Sequence, residues 1–300
     1  MAGLVISVPY GSLAVPPAVG RHLGLTPEDF RREHWLLADP FLLEIASKIV
    51  DRGQDQSSRA LVCYGFSPLV ADPLGLLAEE LGQGKAAGPV FLRKDTRGNP
   101  LKPFSQKDQA LVLGRSALPF IESLVETCRA KLKEEKLVAL VTLRSFSTDP
   151  AVYERDRRRP RPQISLGSAE GHTPEGLATL AGTIFRALGL WPQLDWPLAA
   201  MGPPSELAKE KRLKTLSLGL RRDLYLDERT GKPKEDMEAL ARVLRIFLTL
   251  LEQELDRVAK IRLARAFPPK KPSSVIKDPG AKPGAPRDKP WMKSKPSPLL

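Results

Sequence analysis

Seven consecutive residues, Leu137–Leu143 (LVALVTL), leave almost nothing for water to hydrate on either side of an extended chain. A strand buried on both faces belongs in the interior of a mostly parallel sheet covered by helices. The segment before it, Leu118–Leu132, places Ile121, Leu124, Val125, Cys128 and Leu132 on one helical face. An amphipathic helix running straight into a two-sided apolar strand is half of a βαβ unit.

The same alternation recurs along the chain. Leu4–Val8 is a short apolar run that stops at Pro9-Tyr10-Gly11-Ser12, and Ala60–Tyr64 is a second strand. Thr26-Pro27-Glu28 opens one helix, with the threonine as cap. Asp39-Pro40 opens another, with Asp39 as N-cap, a stripe of Phe41, Leu42, Ile45, Ala46, Ile49 and Val50, and a stop at Gly53. Ile164–Leu166 and Leu216–Leu220 are further strands. Thr173-Pro174 caps a helix running to Gly189, and a long helix spans Glu235 to about Ala264. The expected architecture is a three-layer α/β/α domain over residues 1–266 with a mixed, largely parallel central sheet. Leu74–Val112 is expected to form irregular loops over one sheet edge.

The net charge of +12 raises the question of nucleic acid, but half of it lies in residues 268–300, which carry +6 and nine prolines. That stretch (267–300) is read as a disordered basic tail, solubilising first and only second a contact for nucleic acid or an acidic partner. "RDRRRPRP", Arg155–Pro162, is expected as an exposed basic loop. No apolar run approaches a membrane span, and no secretory signal is legible at the N-terminus. Cys63 and Cys128 lack metal or redox spacing, which suits two reduced cysteines in the cytoplasm. His22, His34 and His172 have no partner at helical spacing and read as surface or capping residues. Nucleophile-elbow, phosphate-loop and dinucleotide fingerprints are absent.

Several segments, in order, resemble the N-formylglutamate amidohydrolase family. "ISVPYGS" stands where the family has a strand ending in Pro-His-Ser-Gly, and Asp39 matches an acidic residue of the following helical region. "RALVCYGF" (59–66) fills the place of Arg-x-x-x-Asp-x-Asn-Arg, and "LVALVTLRSFS" ends in Arg144-Ser145 where the family has His-Ser. "QISLGS" (163–168) and "LSLGLRRDLYLD" (216–227) complete the series, with Arg222, Leu224, Tyr225 and Asp227 in register.

The resemblance, over roughly residues 4–255, implies a phosphorylase/hydrolase-like fold of the zinc-peptidase kind. It also implies a zinc ion held by two histidines and a carboxylate, used to cleave N-formyl or N-acyl amino acids. This chain departs at the positions that carry that chemistry. Tyr10 and Arg144 replace the two histidines, Cys63, Gly65 and Phe66 replace the Asp, Asn and Arg, and Gly219 replaces the glutamate. An arginine cannot be deprotonated to bind a metal. The expectation is a degenerate zinc site without cofactor or catalytic residue. Its remnant pocket is expected to hold Tyr10, Asp39, Arg144, Ser145 and Arg222. Arg144 and Arg222 are the candidate contacts for a small carboxylate or phosphate. The alternative is a divergent zinc-dependent amidohydrolase with relocated groups. Nothing in the sequence speaks to oligomeric state.

Overall fold

The computed structural model describes residues 2–50, 59–80, 83, 88–154, 156–198 and 201–266. The expected helix stop at Gly53, Arg155 of the basic run and the tail 267–300 lie outside the described residues. Six strands form the central sheet: β1 (Gly3–Val8), β2 (Arg59–Cys63), β3 (Val138–Phe146), β4 (Ile164–Gly167), β5 (Pro192–Leu194) and β6 (Leu213–Arg221), in the order β2-β1-β3-β6-β4-β5. β2, β1, β3 and β6 run parallel, and β4 is antiparallel to β6. The sheet is thus mixed and mostly parallel, as the apolar runs require. All nine residues of β3 and all six of β1 are buried, which is why both read as continuous apolar segments.

The helices are α1 (Pro17–Leu23), α2 (Pro27–Leu37), α3 (Leu42–Val50), α4 (Leu76–Glu80), α5 (Gln106–Arg115), α6 (Ala117–Glu134), α7 (Glu175–Ala187) and α8 (Met237–Ala266). Alternation along the strands sorts the core. Leu4, Ile6 and Val8 of β1 and Ala139, Val141 and Leu143 of β3 pack with α3, α7 and α8. Val5, Val138 and Leu140 turn the other way, onto Phe120, Leu124, Cys128 and Leu132 of α6. A third apolar cluster, including Tyr10, Val19, Leu23, Leu37, Val70 and Leu77, gathers α1, α2 and α4.

Three local expectations are corrected. Leu74–Val112 is not wholly irregular, because it contains α4 and the start of α5, which Ser105 caps through the Asp108 N–H. Thr173 does not cap α7; its hydroxyl donates to the Thr215 carbonyl (2.6 Å) and accepts from the Ala169 N–H. The basic run is not simply exposed: Arg161 is fully buried, held by the Ser147 carbonyl and the Glu154 carboxylate. Among the described residues no helix is long and apolar enough to cross a membrane.

Candidate functional site

The chain leaves β1 toward β2 on one side, and β3 lies on the other. The ends of β1 and β3 therefore flank a switch point of the sheet, where α/β folds open a crevice. Tyr10 follows β1 by two residues, and its carbonyl accepts the Asp39 N–H at 2.7 Å. That bond fixes Asp39 beside the sheet edge. The turn that follows puts Phe41 at φ 61°, a left-handed conformation rare for a bulky residue, held by the Ile45 N–H on the Phe41 carbonyl.

Asp39 is not the N-cap of a helix. α3 begins only at Leu42, and the carboxylate turns to β3 instead. Its Oδ1 accepts the Ser145 N–H (3.0 Å) and the Ser145 hydroxyl (2.8 Å), while Oδ2 is buried without a partner. Burial pushes the Asp39 carboxyl up to about 6, against the opposing pull of Arg144, Arg222 and the Ser145 hydrogen bonds. Arg222, just past β6, donates Nε to the Ser145 hydroxyl (3.1 Å), Nη1 to the Trp35 carbonyl (2.8 Å) and Nη2 to the Ala38 carbonyl (2.6 Å). It lies 3.9 Å from Asp39 Oδ1. Arg222 thus ties the end of α2 to the end of the sheet, and all three of its nitrogens are engaged.

Successive strand residues point to opposite faces, so Arg144 leaves β3 opposite to Ser145. Its guanidinium lies 5.0 Å from the centre of the Tyr10 ring and pairs through Nη1 (2.6 Å) and Nη2 (3.1 Å) with both oxygens of Glu80. Burial alone would lower Arg144, but Glu80, with Tyr10 and Asp39, holds it raised above its ordinary value. The Tyr10 hydroxyl donates to Asp72 Oδ1 at 2.8 Å, and burial, then the Asp72 charge, raises it well above its usual value. Tyr10 is therefore a neutral platform beneath a fixed cation.

A cleft of about 220 Å³ opens above these groups. Asp39, Arg144, Ser145 and Arg222 all line it, together with Glu80, Tyr153, Glu154 and the apolar Leu37, Phe146 and Leu198. Tyr10 lies behind Arg144 rather than on the wall. Four of the five expected pocket residues thus meet in one cleft and the fifth backs them. Glu80 and Tyr153 were missed. Glu80 reaches Arg144 across 64 positions from the least patterned part of the chain, and Tyr153 carries no periodic signal.

Nothing on the cleft wall is an imidazole. His22 stacks on Phe104, His172 bridges the Ala208 and Leu213 carbonyls, and His34 is in the last turn of α2. Among the described residues no group of three or more His, Cys, Asp or Glu side chains could hold a metal ion. Gly219 is crowded: a Cβ there would come within 2.8 Å of the Leu198 side chain and 3.0 Å of Ser165.

No family model matches the sequence, and no curated protein matches it. Solved structures similar in fold include the following two. The N-formylglutamate amidohydrolase from Ralstonia eutropha is 19% identical, with a TM-score of 0.69 over 85% of this chain and 95% of its own. A gene product of Agrobacterium tumefaciens is 17% identical, with a TM-score of 0.64 over 85% of this chain and 92% of its own. The chain shares their α/β fold.

Proposed function

We propose that this chain is a non-catalytic protein on the N-formylglutamate amidohydrolase scaffold, whose cleft binds a small anionic ligand. What carries the reading is the Arg144–Tyr10 stack at the two strand ends where the resemblance places the histidines. A zinc ion needs neutral imidazole, thiolate or carboxylate donors and an open coordination position. The residues present do not fit one. Arg144 brings a permanent positive charge to the spot, Tyr10 is held as a neutral phenol, and Gly219 supplies no carboxylate. Asp39 keeps its acid side chain, but its bonds to Ser145 hold it as a brace between α3 and β3.

The same reading keeps the protein in the cytoplasm, where Cys63 and Cys128 remain unpaired thiols. The shared fold alone supports a divergent amidohydrolase, and fold is a weak warrant for activity. The test is hydrolysis of N-formylglutamate and a small panel of N-acyl amino acids by the purified full chain, with and without added zinc. No turnover is expected. Chelator-sensitive turnover would refute the non-catalytic reading.

A further inference from the structure

We infer that Arg144 is the anchor of the cleft's ligand, that the ligand is a small carboxylate, and that Glu80 holds the ligand's place in its absence. This rests on the non-catalytic reading above and gives it a ligand class. The Arg144 side chain is 4% exposed, whereas Glu80 is 27% exposed and ends the five-residue α4. The two partners face unequal costs on separation. A buried guanidinium without a carboxylate is an uncompensated charge, but a partly exposed carboxylate returns readily to water. Arg144 therefore exchanges Glu80 only for another group of the same chemistry.

The geometry specifies that group. Nη1 and Nη2 each meet one Glu80 oxygen, so the seat that a ligand would take over is already occupied by a carboxylate with its two oxygens on one guanidinium. Arg144 Nε is buried without a partner, so the guanidinium has a donor that Glu80 does not use. Both residues line the cleft, and Leu37, Phe146 and Leu198 beside them offer apolar wall to a short carbon chain. Glu154 is paired with Arg161 and Asp156 with Arg158, while Asp39 is turned to Ser145. Arg222 adds no second anchor, because its nitrogens serve Trp35, Ala38 and Ser145. One carboxylate per ligand is read, by one arginine.

The experiment is calorimetric titration of the full chain with butyrate and, separately, with inorganic phosphate, at low salt and with a chelator present. Saturable butyrate binding is expected, about tenfold tighter in Glu80→Gln, lost in Arg144→Met, and at least tenfold stronger than phosphate. Glu80→Asp, which withdraws the carboxylate by one methylene, gives the same direction if Glu80→Gln does not fold. Butyrate binding by Glu80→Gln but not by the unmodified chain would overturn the proposal, as simple filling of an emptied pair. Binding that survives Arg144→Met, or phosphate binding tighter than butyrate, would overturn it too. Failure here, with no hydrolysis in the panel above, removes the ligand and leaves the non-catalytic reading standing.

Discussion

Replacing Asp39 by asparagine isolates the energetic strain in the cleft. The carboxyl is 2% exposed and titrates at about 6 when folded, against 3.8 when unfolded. A raised acid pKa means that the folded state binds the proton more tightly. Stability then falls as pH rises from about 4, and the loss is complete once pH passes the folded value. At about 1.4 kcal/mol per pKa unit, the ionised Asp39 costs roughly 3 kcal/mol at pH 7. Asparagine keeps an oxygen for the Ser145 N–H and hydroxyl but carries no charge. Urea denaturation of both proteins from pH 4 to 7.5 measures the effect. Asp39→Asn should gain on the unmodified chain by about 2.5 kcal/mol between pH 4 and 7, with a flat difference above that. Other titrating groups cancel in the comparison. A difference that is constant across this window, or that favours aspartate as pH rises, would refute the assignment of Asp39 as a buried, strained carboxylate.

Three further outcomes are expected. Glu80→Gln should cost about 3 kcal/mol and Arg144→Met only about 1, because the first strands a buried cation and the second releases a half-wet carboxylate; thermal unfolding that ranks them the other way counts against the pair's asymmetry. Gly219→Glu should destabilise by about 3 kcal/mol or more, since the side chain must displace Leu198 and bury a charge, and near-normal melting with restored metal binding would show that the position is open. Burial pushes Cys63 up to about 11 and Cys128 up to about 12, so both thiols should resist a disulfide reagent at pH 7.5 until denaturant is added.

The layered fold was legible because its strands carry it in their own residues. Leu137–Leu143 and Leu4–Val8 are apolar on both faces, and α6 and α8 show one buried edge each at helical spacing. The order of the strands was not, since pairing is settled by contacts far apart in sequence. The site was legible to the extent that its residues fall in segments with a family likeness: Tyr10, Asp39, Arg144, Ser145 and Arg222 do meet at one edge. What each one does was not. Asp39 before Pro40 has the local form of a cap, yet Ser145, 106 positions away, takes the carboxylate. Arg222 and Arg144 both read as open cations, and only the structure shows the carbonyls that consume one and the Glu80 fork on the other. Arg161 reads as one more exposed charge of a basic run. It is buried because β4 runs antiparallel to β6, which brings the chain before β4 to the edge where β3 ends.

The cleft holds arginine chemistry where zinc chemistry would stand, and zinc stoichiometry reads this out: the full chain is purified without chelator, loaded with zinc, desalted and measured by mass spectrometry. Less than about a tenth of an equivalent should remain bound, since the cleft offers no imidazole and a fixed cation. About one equivalent of tightly held zinc, lost on replacing Asp39 or Glu80, would refute the assignment.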